Sequence, residues 1–432
     1  MKFSPFILLC TTGLFAIFSS TISKSPVLPL FASHLGAEPS GVGIIASTSA
    51  FTGIIASIPA GILSDRFGRK RMLILSAVVF ATAPFLYLLV TEIWQLVLIR
   101  FYHGLSTAIF IPVSMALVSD LFHKERGEKI GWFSTSTLVG RFIAPVAGGS
   151  IIGLLTFNPD MSYKVVYIVC GIAGVITLLL TLRIPAFGDT ATTNRHSHES
   201  GNPDAVPAKA GNYKDLDSCF RRNDTEILKQ SSQSWKETLK AFKSVISNRA
   251  ILITAIVEAS ILFAYGTFET FLPLYVINIG LSAYEIGIFL SAQVITLAVT
   301  KPIMGRFSDR HGRGPQIFAG AIIGAVCIGS FSLFRSFIPL LALSVLFGLS
   351  LSVVTSATSA FIADLSRRET HGSAMGILGS IMDIGHTAGP LVSGIVATYL
   401  GFGKAFIVAS LILVAVACIF LAKTSQPKNF LM

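Results

Sequence analysis

Long apolar runs alternate with short polar stretches along most of the chain, and each run is long enough to be a helix through a bilayer. Such a helix needs about 20 mainly apolar residues. Twelve runs qualify: 6–31, 41–63, 71–90, 93–119, 130–156 and 163–184, then 249–277, 284–305, 315–334, 337–363, 373–399 and 403–423. Between the sixth and seventh lies 185–248, rich in Asn, Ser, Asp, Lys and Arg and lacking any apolar run long enough to insert. It reads as a flexible linker, with helical apolar spacing only over 236–248 (KETLKAFKSVISN), which suits the membrane surface. The predicted architecture is an all-α membrane protein of twelve transmembrane helices, with a six-helix bundle in 1–184, a linker in 185–248 and a second six-helix bundle in 249–432. Deleting 190–230 is expected to leave the two bundles working, because a linking loop tolerates changes of length.

Composition agrees with this pattern. The 432 residues are 52% hydrophobic and 13% charged, with mean hydropathy +0.72, where a soluble domain is roughly one-quarter charged. The first run follows Lys2 and continues to about Ala32 without a small-residue cleavage pattern, so a retained helix is expected rather than a signal peptide. A net charge of +11 would in a soluble protein suggest nucleic acid. Here the charge sorts by loop. Arg66, Arg69, Lys70, Arg71, Lys124, Arg126, Lys129, Arg306, Arg310, Arg313, Arg367, Arg368 and the linker cations fall on one side, and Lys164, Arg335 and Lys404 on the other. The positive-inside rule then puts both termini in the cytoplasm, and nucleic acid is excluded as a partner. Of the five cysteines, no pair has metal-ligand spacing and no disulfide framework is expected. No phosphate-binding loop occurs, so neither an enzyme nor an ATP-driven pump is indicated, and no cofactor or metal is expected.

The two halves are copies. Adding 244 carries Pro29 to Pro273, Gly43 to Gly287, Gly61 to Gly305, Asp65 to Asp309, Arg66 to Arg310, Gly68 to Gly312, Gly104 to Gly348 and Asp120 to Asp364; adding 245 carries Pro145 to Pro390 and Gly149 to Gly394. A near-constant offset across six helices implies two bundles of the same orientation, related by an axis along the membrane normal. Parallel repeats of this kind place a substrate site between the halves near the midplane.

The turn from Gly61 to Arg71, GILSDRFGRKR, returns in weaker form from Gly305 to Gln316 as GRFSDRHGRGPQ. The first copy fits G-x-L-a-D-r-x-G-r-k at every stated position, and on it the chain resembles the major facilitator superfamily over nearly its whole length outside the linker. Arg100 and Gly104 in LVLIRFYHG are similar to that family's membrane-embedded Arg motif. GRFIAPVAGG from Gly140 to Gly149 looks like its antiporter motif G-x-x-x-G-P-x-x-G-G with Ala144 in place of a Gly, and GHTAGPLVSG from Gly385 to Gly394 repeats it with Gly389 and Pro390 intact. These features are closest to the twelve-helix drug:proton antiporters. The resemblance implies that Gly61, Asp65, Arg66, Gly68 and Arg69, with Asp309, Arg310 and Gly312, form cytoplasmic latches. Asp65 would face the start of the eleventh helix and Asp309 the fifth, favouring an outward-open state. The plainer alternative is a tight turn with topological charge.

Charges inside apolar runs are costly and usually line an interior path. Arg100 either serves coupling or snorkels to the nearer surface. Lys24 and Glu269 occupy almost the same place in the two repeats, and are expected to pair across the cavity on the extracellular side when the protein is inward-open; two independent snorkelling side chains are the alternative. Glu258 lies eleven residues before Glu269, on the same face of one helix, and fits proton coupling, binding of a cationic substrate, or simple hydration equally. Asp383 and His386 stand one turn apart, as a protonatable relay or a structural hydrogen bond. Arg141 maps onto His386, and the Gly and Pro around both, including Gly140, Pro145, Gly149, Gly389 and Pro390, read as packing and kink devices.

The expected function is proton-coupled efflux of small amphipathic compounds by alternating access, by a monomer in a plasma or bacterial inner membrane. The alternative is a symporter or facilitator for a sugar or organic acid. A non-transporting scaffold fits poorly with so many intramembrane charges.

Overall fold

The computed structural model describes residues 4–122, 125–185, 248–365 and 371–424, and leaves the side chains of residues 58, 65, 66, 371–377 and 424 undescribed. Linker residues 186–247, with Cys219 and all but the last residue of the surface helix expected at 236–248, lie outside the described residues.

Among the described residues the ordered secondary structure is helical. In the first half α1 is Pro5–Ile22, α2 Val27–His34, α3 Pro39–Phe67, α4 Arg69–Leu86, α5 Ile93–Leu121, α6 Arg126–Leu154 and α7 Pro159–Arg183. In the second half α8 is Arg249–Asn278, α9 Ala283–His311, α10 Arg313–Ser330, α11 Phe337–Leu365, α12 His371–Leu400 and α13 Phe402–Thr424. Eleven segments are long and apolar enough to cross a membrane, with α1 and α2 counted as one; α12, at 30 residues, has the length of a twelfth. Trp94 and Trp132, at the starts of α5 and α6, are both exposed at opposite ends of the molecule, as aromatic anchors at the two membrane interfaces are.

The first predicted helix is broken, which its continuous hydrophobicity did not reveal. Pro26 has no N–H to donate to Ile22, and its ring would collide with that carbonyl in a continuous helix. The chain leaves α1 through Ser23 and Lys24, whose N–H donates to Thr21 O at 3.0 Å, and re-enters a helix at Val27. Its counterpart α8 runs unbroken through Glu269. Lys24 therefore stands at a discontinuity and Glu269 on a regular helix.

Lipid gives helices no hydrophobic reason to associate, so close packing depends on small residues. In each half the equivalent helices pair: α1 with α6 and α8 with α12, α3 with α5 and α9 with α11, α4 with α7 and α10 with α13. Gly104 of α5 crosses α3 with a methyl position 3.1 Å from Ser49 Cα, and Gly348 of α11 crosses α9 at the same distance from Gln293 Cα. Two extensive contacts join the halves, α3 with α12 and α6 with α9, and α8 makes smaller ones with α2 and α3. At the first, Gly43 lies against the backbone of Pro390 and beside Gly394, and Ser40 N–H donates to Thr398 Oγ1 at 2.9 Å. At the second, a methyl group on Gly287 would stand 2.6 Å from Pro145 O, Gly149 lies against Ala283, and Ser291 Oγ donates to Phe142 O at 2.8 Å.

Both contacts lie toward the ends of the helices that carry Gly36 and Gly280. There a single buried apolar cluster runs through both halves, from Val27 and Ala144 to Phe268 and Ala283. Toward the other end, where Gly68 and Gly312 turn the chain with φ near 90°, each half has its own cluster: Leu9, Met72 and Phe133 in one, Ile251, Ile362 and Leu378 in the other. The halves are joined at one face and separate toward the opposite one.

Candidate functional site

A cavity of about 580 Å³ begins where the contacts between the halves stop, on the side of Gly68 and Gly312. Its walls come from α1, α3, α5 and α6 of the first half and α8 and α12 of the second, and it receives Lys24, Arg100, Arg141, Glu269, Asp383 and His386. The size falls within the range that encloses small organic molecules.

Lys24 Nζ lies 2.7 Å from Glu269 Oε2, joining the break in the first span to α8. His386 Nε2 is 3.2 Å from the same carboxylate oxygen and 3.5 Å from Lys24 Nζ, and its ring stacks on Tyr265. The three side chains bind the two halves together at the floor of the cavity. Both ion-pair partners are largely withdrawn from solvent, with side-chain exposures of 19% and 9%, so the pair is shielded from the screening that weakens surface pairs.

No hydrogen bond joins Asp383 to His386 among the described residues, and the hydrogen bond His386 does make reaches α8. His386 turns toward Glu269 and Tyr265, whereas Asp383 sits one turn nearer the open face and approaches Gly53 of α3. One turn of separation puts two residues on one side of a helix; neighbouring helices then decide which way each side chain goes.

Arg100 does not snorkel. It is 3% exposed; Nη2 donates to Ser49 Oγ at 3.0 Å, Nη1 reaches Tyr87 Oη at 3.5 Å, and Nε has no partner. Arg141 faces the same cavity and forms no hydrogen bond or ion pair among the described residues. Glu258 is fully buried and does not line the cavity: Oε2 accepts from Thr358 Oγ1 of α11 at 2.7 Å, and Oε1 has no partner. Sequence reasoning missed His103, which lines the cavity, is 2% exposed and has no hydrogen-bond partner for either ring nitrogen. Its place one turn after Arg100 inside an apolar run was the available signal. Ser49 and Tyr87 gave none.

At the Gly68 and Gly312 face, two equivalent ion pairs form among the described residues, one in each half. Arg69 Nε donates to Asp120 Oδ2 at 3.1 Å, and the equivalent Arg313 Nη2 donates to Asp364 Oδ1 at 3.3 Å. Asp309, expected to face the fifth helix, is 3.2 Å from Arg313 of its own half. The side chains of Asp65 and Arg66 lie outside the described residues, and Arg310 is exposed. Among the described residues nothing stands within 4 Å of a methyl position on Gly61 or Gly305. The Gly and Pro of 140–149 and 385–394 do pack closely: Gly140 against Leu14 and Phe18, Gly389 against Phe263, and Gly149 and Pro390 at the seam between halves. No group of side chains suited to a metal ion occurs among the described residues.

Twelve spans in two equivalent halves around a central cavity define a membrane transporter fold. The model of the Major Facilitator Superfamily matches residues 9–292 and 277–430, and the chain belongs to that family. Its members are transporters, not enzymes. Curated relatives include an uncharacterized MFS-type transporter, MJ1560, of Methanocaldococcus jannaschii, 22% identical over 88% of each chain. The multidrug resistance protein MdtG of Klebsiella pneumoniae is 25% identical over 89% of this chain and 85% of its own. Among solved structures, an inward-facing, unoccupied bacterial homologue of the human lysosomal transporter Spinster matches with a TM-score of 0.75 at 14% identity, over 98% of this chain and 97% of that one.

Proposed function

We propose that the chain expels small amphipathic compounds from the cytoplasm by alternating access, coupled to inward movement of protons. The loop cations assign the Gly68 and Gly312 face to the cytoplasm, so both termini are cytoplasmic. In this reading the molecule is open inward, with its outer side sealed by the two Gly/Pro crossings and by the Lys24, Glu269 and His386 cluster. That cluster carries the proposal. It ties the halves together only while the outer side is closed, so opening outward requires the ion pair to separate and each charge to find water, a proton or a substrate. Multidrug resistance proteins among the relatives support export as the direction.

Proton carriage falls to Glu258 and Asp383. A carboxylate in a low-dielectric site favours its protonated form and can release the proton when water reaches it. Glu258 has one oxygen without a partner, which suits a carboxyl that carries a proton; Asp383 stands at the cavity wall and forms no ion pair among the described residues. The monomer contains all of these groups.

Acidified inverted vesicles containing the protein and a pH-sensitive dye test the proposal. Proton release on adding an amphipathic drug is expected. Silence toward every drug, together with uptake of a sugar or organic acid, would replace export with metabolite transport.

A further inference from the structure

The cavity holds more positive charge than its own carboxylates can satisfy. Three basic side chains, Lys24, Arg100 and Arg141, line it against two carboxylates, Glu269 and Asp383. Glu269 is already bound by Lys24 and His386. Asp383 belongs to the other half and forms no ion pair with either arginine among the described residues. Arg100 has only neutral hydroxyls for partners, and its buried Nε has none. His103 adds a donor: a neutral imidazole always carries one N–H, and neither ring nitrogen finds a partner. A buried cation or donor left in this state is costly unless something else completes it.

We propose that the wall formed by α5 and α6 is an oxyanion subsite, where Arg100, His103 and Arg141 hold the head group of an amphipathic organic anion whose apolar body rests on Ile111, Pro112 and Leu138. Guanidinium groups bind planar or tetrahedral oxyanions through paired hydrogen bonds, which suits carboxylates and phosphate esters alike. The apolar residues line the same cavity toward its open end, so head group and body are held at different depths. This narrows the cargo of the exporter proposed above to anions and rests on that reading for its transport step; the binding step stands without it.

Probes with one apolar body and different head groups test it: naphthylacetate, naphthyl phosphate, naphthylmethylammonium and neutral naphthylmethanol. Each is titrated against the full-length protein in lipid nanodiscs, with binding read by naphthyl fluorescence anisotropy, and each is followed across proteoliposome membranes. At least one anion is expected to bind about tenfold more tightly than the ammonium, as a charge-assisted pair of hydrogen bonds gives. The tighter of the two anions tells carboxylate cargo from phosphate cargo. Arg141→Gln is expected to reduce the preference for anion over ammonium about tenfold, and Arg141→Lys to restore part of it. An ammonium that binds as tightly as both anions overturns the subsite, as does a preference unchanged by Arg141→Gln; the wild-type comparison decides if neither variant folds. Anions that bind and never cross the bilayer count against export alone. An ammonium that crosses while the anions fail to bind counts against the subsite alone.

Discussion

Lys24 of the first half and Glu269 of the second stand 2.7 Å apart, and the residue that maps onto Glu269 in the repeat is Ser25, the neighbour of Lys24. Charges of opposite sign, one residue out of register between the two repeats, thus meet across the axis that relates them. Removing one partner of a fully buried pair costs about 3–5 kcal/mol, and the 19% exposure of the Lys24 side chain places the expected loss at the low end. Lys24→Met and Glu269→Gln are each expected to lower thermal stability and abolish substrate counterflow in proteoliposomes. The exchange Lys24→Glu with Glu269→Lys is expected to recover at least part of the counterflow. A double variant as inactive as the singles removes the pairing from the mechanism.

The seam is expected to respond to volume. A side chain at Gly43 has no room, because the backbone of Pro390 occupies the place of its Cβ. Gly43→Val is expected to force α3 and α12 apart at the Gly36 face. In a cysteine-free background, a Cys at Ala37, buried at that face, should gain reactivity toward a membrane-impermeant maleimide when Gly43→Val is added. A Cys at exposed His311 on the other face should not gain. Unchanged labelling at Ala37 would show that the crossing does not hold the closed side.

Glu258 separates proton movement from substrate movement. Gln has nearly the shape of Glu and keeps an oxygen to accept from Thr358 Oγ1, so Glu258→Gln should fold with stability within about 1 kcal/mol of the parent. It cannot exchange a proton. Substrate-driven proton release, read by a pH-sensitive dye, should vanish, while substrate-for-substrate counterflow continues. Proton release at the parent rate would move coupling to Asp383.

The two pairs at the Gly68 and Gly312 face are expected to matter little for stability. Arg69 with Asp120 and Arg313 with Asp364 have carboxylates more than half exposed, and such pairs contribute about 0.2–1 kcal/mol. Double-mutant cycles on each pair should give similar coupling energies that shrink with added salt. A much larger coupling in either would mark a role beyond surface charge.

Much of the fold was legible because hydropathy and repetition are properties of the chain alone. The spans followed from apolar length, and the 244-residue offset brought Lys24 and Glu269 to one level before any coordinates. The break between Ile22 and Val27 escaped because Pro26 interrupts hydrogen bonding without interrupting hydrophobicity. Arg100 could be seen as a charge in a helix, though its hydroxyl partners Ser49 and Tyr87 come from α3 and from the turn after α4. His386 shows the limit most plainly. Its spacing from Asp383 suggested one partner, and the rotation of α12 against α8 supplied another. Such choices are made by the packing of whole helices, which single-sequence periodicity does not encode.

The two glycine crossings, Gly43 with Pro390 and Gly287 with Pro145, have a mechanical meaning as a pair. Two bodies that touch at two separated points can turn about the line through those points without losing either contact. They cannot slide apart or twist about the membrane normal without breaking one. The repeat places the points on opposite sides of the central axis, so the line through them crosses the mouth of the sealed face: turning about it can only widen or narrow the Gly68 and Gly312 side, whereas opening the Gly36 and Gly280 side has to part both crossings together with the Lys24 and Glu269 pair.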